Sequence, residues 1–113
     1  MQLEAKKYLY DIKQAAERVS LFTAHKRFDD YRDDPMLQAA VERQFEIIGE
    51  ALSRLARLDE SLAARITEHQ RIIAFRNILI HGYASVDARV VWDVVEAKLP
   101  VLLVEVQALL SKP

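Results

Sequence analysis

The chain has no cysteine. This excludes a disulfide scaffold and any thiolate metal site, and it favours a reducing compartment. Only 2 glycines and 3 prolines occur in 113 residues, against 51% hydrophobic and 29% charged residues. With so few places to turn, a helical fold follows, and the length suits a single domain over residues 1–113. Long apolar runs are lacking as well. The most apolar stretch, around Leu99 to Val104, is far shorter than a membrane span and contains Pro100, and the N-terminus begins with charged residues instead of a signal peptide. The expectation is a cytoplasmic protein with no membrane partner. A strong charge of one sign is also missing: the net charge of −1 argues against a general nucleic-acid coat, whose affinity would come from many phosphate contacts. No glycine-rich phosphate loop, HExxH or serine nucleophile elbow is present, so no cofactor or metal is expected.

The periodicity of the apolar residues predicts four helices. Tyr8, Ile12, Ala15, Val19 and Phe22 form one face of a helix over about residues 2–24. The densely charged stretch from His25 to Asp34 reads as the main loop, with Asp34 as cap and Pro35 in the first turn of the next helix. Leu37, Val41, Phe45, Ile48, Leu52 and Leu55 continue that second helix to about Arg57. A third helix is expected from about Glu60 to His81, apolar on two faces and therefore nearly surrounded. Ser85 or Asp87 caps the fourth, which should be kinked at Pro100 because proline removes one backbone hydrogen bond and crowds the preceding turn. The predicted architecture is an all-α, four-helix up-and-down bundle.

Chemistry-bearing residues concentrate in Arg76-Asn77-Ile78-Leu79-Ile80-His81-Gly82-Tyr83. A guanidinium is a permanent fork for phosphate oxygens, an imidazole moves protons near neutral pH, and a phenol donates a hydrogen bond or accepts a modification. Arg76 and Tyr83 are spaced to share a helical face, with His81 between them before a natural helix stop at Gly82. Five arginines between Arg54 and Arg76, with His69 and His81 beside them, make this half attractive to an anion. Arg76 falls in the row of Ile73 and Ile80, so its charge calls for a partner. Glu46 and Glu50 on the second helix are candidates. Two other carboxylate groups are set aside. Asp29, Asp30, Asp33 and Asp34 are interleaved with Lys26, Arg27 and Arg32 as in a solvated loop, and Glu42, Glu46 and Glu50 lack the Glu-x-x-His pattern of a dimetal bundle.

The segment from Arg76 to Tyr83 matches the Arg-x4-His-x-Tyr motif of the HEPN superfamily and in particular resembles the HepT toxins of HepT/MntA toxin–antitoxin pairs. EIIGEALSRL (Glu46 to Leu55) resembles that family's second helix. HGYASVDARVVWDVVEAKLPVL (His81 to Leu102) resembles its motif end and fourth helix. Glu68-His69-Gln70-Arg71 departs from the pattern, since relatives often carry an aromatic residue there, and no role is assigned to His69. The resemblance implies a homodimeric, metal-independent endoribonuclease that cuts RNA to a 2′,3′-cyclic phosphate. It implies Arg76 on the scissile phosphate, His81 as proton shuttle and Asn77 in support. It further implies a nucleotidyltransferase antitoxin, similar to MntA, that attaches AMP to Tyr83. Two other readings stay open: a catalytically silent helical subunit that pairs with a nucleotidyltransferase and binds its substrate or nucleotide, and a purely structural dimerisation module.

Overall fold

A computed structural model describes residues 1–112, and of Tyr83 the backbone alone. It comprises α1 (Leu3–Thr23), α2 (Phe28–Arg32), α3 (Pro35–Leu58), α4 (Glu60–Ala63), α5 (His69–His81), a 3₁₀ turn (Tyr83–Ser85), α6 (Ala88–Asp93), a π-turn (Val94–Lys98) and α7 (Leu99–Leu110). No strand occurs among the described residues. The fold is the expected all-α bundle: α1, α3, α5 and the rod formed by α6, the π-turn and α7 are its four members. α3 lies between α1 and α5, and α7 returns along α1.

Helical periodicity builds the core. Leu9, Ile12, Ala16 and Val19 of α1 meet Val41, Ile48, Leu52 and Leu55 of α3, all completely buried. Burying such side chains contributes roughly 1.5–3 kcal/mol each for the larger ones. α3 begins as its sequence predicts, with Pro35 in the first turn and the Asp34 carboxylate accepting the Leu37 amide at 3.1 Å.

The stretch from His25 to Asp34 holds more than a solvated loop. It contains α2, which buries Tyr31 against Trp92 with ring centroids 5.4 Å apart. Burial pushes the Tyr31 phenol pKa well above its ordinary value, with Glu42 adding to the shift. The aspartates nearby are occupied locally: Asp29 and Asp33 pair with Arg32, Asp30 accepts the Arg27 amide and Asp34 caps α3. The apolar residues Phe28 and Tyr31 are what turn this charged segment into a lid on the core.

The single third helix expected over Glu60 to His81 is broken. α4 stops at Ala63, Glu68 adopts a left-handed conformation (φ 56°), and α5 starts at His69. A contact remote in sequence accounts for the break. The Glu105 carboxylate on α7 accepts the Thr67 amide at 2.9 Å and the Thr67 hydroxyl at 2.7 Å, taking the N–H that a continuous helix would use. Ile66 is buried at the bend, and His69 Nε2 lies 2.9 Å from Glu60 Oε1 across it. His69 therefore has a structural contact of its own.

The expected enclosure of this helix is also corrected. Leu79 is the one fully buried residue of α5, while Ile78 and Ile80 are 57% and 42% exposed. At the fourth member Asp87, not Ser85, is the cap, accepting the Arg89 amide at 2.8 Å. The disturbance expected from Pro100 takes the form of the π-turn. The Leu99 amide reaches back to the Val94 carbonyl, and this widened turn makes room for the proline ring one residue later.

Candidate active site

Arg76 enters the bundle through a gap made by glycine. A Cβ at Gly49 of α3 would lie 2.2 Å from the Arg76 Cβ and 2.8 Å from its Cγ. Only a residue without a side chain lets α5 approach α3 this closely. The next residue on α3, Glu50, receives the head group: its Oε2 pairs with Arg76 Nη2, and its Oε1 accepts from Arg54 Nε at 2.9 Å. Arg76 Nη1 donates to Asn77 Oδ1 at 2.8 Å. The Arg76 side chain is left 18% exposed, and its Nε is buried with no partner among the described residues. The hydrogen bond from Arg54, aided by the charges of Arg76, Arg54 and Arg57 against the opposing effect of desolvation, holds the Glu50 carboxyl below the usual carboxylate range. Glu46, the other candidate partner, pairs with Arg43 instead.

His81 is the last residue of α5 and is exposed. Asn77 lies one turn before it, and Ala74, Asn77, Ile78 and His81 form the outward stripe of the helix. His81 follows Arg76 by five positions, which on an α-helix is about 7.5 Å along the axis and roughly 140° around it. One protomer therefore turns its guanidinium toward α3 and its imidazole toward solvent. The two are brought onto one short helix segment, not into one pocket.

α5 ends at His81, so the helical face expected to join Arg76 to Tyr83 is interrupted. Gly82 (φ −106°, ψ 27°) caps the helix through its amide to the Ile78 carbonyl, and the chain then tightens into the 3₁₀ turn that begins at Tyr83. A Cβ at Gly82 would lie 2.9 Å from the Ile78 carbonyl oxygen. Close approach, not a left-handed backbone, is what calls for glycine here. The Tyr83 side chain lies outside the described residues.

Grooves flank α5 on both sides. One, of about 500 Å³, runs between α5 and the π-turn with α7; it is largely apolar, with Ile72, Phe75, Ile78, Val94 and Val101 in its walls and Arg71 and Lys98 at its rim. The other, of about 430 Å³, lies beside the Glu50 clamp, lined by Tyr8, Arg43, Glu50, Arg54 and Ile80. The cations near the second groove are largely paired within the protomer: Lys7 with Asp11, Arg43 with Glu46, and Arg54 with Glu50. Of the five arginines that give the half from Arg54 to Arg76 its basic appearance in sequence, Arg54 and Arg76 pair with Glu50 and Arg71 pairs with Glu68.

Gly49 is a part of this arrangement that the sequence left without a role, and Arg54 stood there only among the five arginines expected to attract an anion. The available signal was a lone glycine in the middle of a strongly periodic helix, which implies a close backbone or side-chain approach. Gly49→Ala should lower thermal stability by about 1–3 kcal/mol, as overpacked contacts do. The gain in helix propensity, up to about 1 kcal/mol, is smaller, because the clash is with a Cβ tied to the backbone of α5. Thermal unfolding of the variant checks this, and an unchanged or raised midpoint would mean that α5 moves away without loss.

A family model described as "Ribonuclease HepT-like" matches residues 12–109. A protein described as a probable ribonuclease HepT, from Thermococcus cleftensis, is 37% identical over 102 residues, covering 90% of this chain and 92% of the relative. A putative RNase of Methanocaldococcus jannaschii is 34% identical over 92% of this chain and 94% of its own length. Another, from Caldanaerobacter subterraneus, is 31% identical over 93% of both. No solved structure matches the chain.

Proposed function

The chain belongs to the HepT-like ribonuclease family, and from that premise we propose that it is an endoribonuclease acting on RNA without a metal, the toxin of a toxin–antitoxin pair. The observation that carries this reading is the makeup of α5, where an anchored guanidinium at Arg76 and an exposed imidazole at His81 stand on one short helix segment. Cleavage by the 2′-hydroxyl needs a base for that hydroxyl, an acid for the departing 5′-oxygen and a cation for the crowded phosphorane. Arg76 supplies the cation, and Asn77 supports it through the hydrogen bond to Nη1. His81 supplies proton transfer. One exposed imidazole does not serve both transfers, and one protomer aims Arg76 and His81 in different directions.

A two-fold dimer with both copies of α5 and its exit at the interface supplies the second imidazole, so that two histidines and two arginines line one cleft. The uncovered apolar surface of α5 and the neighbouring groove, with Ile78 and Val101 exposed, supports this arrangement, because apolar area of that kind is usually covered in an assembly. The partner antitoxin is a nucleotidyltransferase similar to MntA that places AMP on Tyr83. The backbone of Tyr83 stands directly after the α5 cap, one residue from Gly82 and two from His81. An added phosphate there would compete with the RNA phosphate for the arginines.

The test is cleavage of a defined RNA by the purified protein in excess chelator, followed by end-group analysis and by co-expression with the cognate nucleotidyltransferase. The expected result is a 2′,3′-cyclic phosphate product, then loss of cleavage together with the mass of one or more AMP units on peptides spanning residues 77–89. Tyr83→Phe should retain some cleavage and escape the control. A protein that cuts no RNA under any of these conditions would favour the silent-subunit reading, and an unmodified Tyr83 in a fully neutralised protein would mean that the antitoxin acts by masking.

A further inference from the structure

We propose that Glu50 is the positioning residue for Arg76 in the cleavage reaction, and that Gly49 and Arg54 complete its clamp. This inference rests on the ribonuclease reading. Two consecutive residues of α3 handle two parts of the same arginine: Gly49 makes room for the stem, and Glu50 binds the head. The carboxylate is itself fixed, because each of its oxygens serves one guanidinium. Oε1 takes Arg54, one turn along the same helix, and Oε2 takes Arg76 on α5. The hydrogen bond from Arg54 and the charge of Arg76 keep the group ionised to lower pH than a free glutamate.

A guanidinium has five N–H donors and wide rotational freedom in its stem. Here one Nη2 hydrogen is committed to Glu50 and one Nη1 hydrogen to Asn77, while Nε is buried and unpartnered. One hydrogen on each Nη remains undonated, and a phosphate binds guanidinium through such paired donors. Asn77 is exposed and adjacent in sequence, so it is a flexible tether alone. Glu50 is the only hydrogen-bond or ion-pair partner that ties the Arg76 head group to another helix among the described residues. Without it the head group loses its fixed register on α3, although the charge itself is still present. Misplacement of a reacting or stabilising group by about 1 Å costs on the order of a hundredfold in rate.

The test measures kcat and KM for RNA cleavage with Glu50→Ala and Glu50→Gln, in the parent and in an Arg76→Ala background under single-turnover conditions with excess enzyme. Glu50→Ala should lower kcat on the order of a hundredfold with KM changed much less, since the loss is one of orientation in the transition state. Glu50→Gln, whose amide oxygen still accepts from Nη2, should recover a large part of that loss. In the Arg76→Ala background neither substitution should lower the rate further, because both act through the same side chain. Equal losses with and without Arg76 would overturn the proposal by making Glu50 merely structural. Parental kcat in both single variants, or faster cleavage, would overturn it by making the ion pair idle or a restraint. A parent protein that cleaves no RNA would instead defeat the ribonuclease reading itself, a result that the wild-type control separates from the others. Circular dichroism of each variant shows that the comparison is between folded proteins, and Glu50→Gln, nearly isosteric with the parent, keeps the test decisive if Glu50→Ala does not fold.

Discussion

RNA cleavage should fall by on the order of a hundredfold or more in Arg76→Ala, and by a similar factor in His81→Ala, with both variants still folded. The structure separates these losses from unfolding. Truncating Arg76 leaves no stranded charge, because Glu50 keeps Arg54 as its partner at 2.9 Å. It also removes the buried, unpartnered Nε. His81 is exposed at the end of α5, and substitutions at such positions usually change stability by less than about 0.5 kcal/mol. Rates measured under single-turnover conditions, beside thermal midpoints for the same preparations, decide the matter. Near-parental cleavage by both folded variants would make the motif structural and leave catalysis to residues elsewhere.

The second large effect concerns assembly. Ile78→Glu should dissociate the dimer at micromolar concentration and abolish cleavage while leaving the protomer folded. Ile78 is 57% exposed in the isolated chain, so a carboxylate there stays hydrated and costs the fold little. Between two copies of α5 it would be buried beside its own symmetry mate, and an unpaired buried charge costs several kcal/mol. One substitution counts twice across a two-fold axis. Sedimentation velocity of parent and variant, with activity measured on the same samples, tests the composite cleft. A parent that is monomeric while cutting RNA would sink it, as would a monomeric variant of full activity. A dimeric variant of full activity would place the interface on another face of the bundle.

Residues close together in the chain made much of this protein legible from sequence. The period of the apolar residues gave α1 and α3 nearly to their ends, and Asp34 with Pro35 marked the start of α3 because capping is a contact between neighbours three residues apart. The Arg-x4-His-x-Tyr spacing marked the end of α5 as the candidate site, and the row shared with Ile73 and Ile80 showed that Arg76 needed a partner. What the sequence alone left undecided depends on contacts between distant segments. Glu105 breaks the third helix at Thr67 from 38 residues away, and Trp92 receives Tyr31 from a segment whose charge suggested only a loop. The choice of Glu50 over Glu46 is of the same kind. Both stand on α3 one turn apart, and only the depth at which α5 rests on Gly49 determines which carboxylate the Arg76 head group reaches. Periodicity fixes which face of a helix turns inward, whereas the height at which two helices meet is set by packing, and here that height supplies the arginine with its partner.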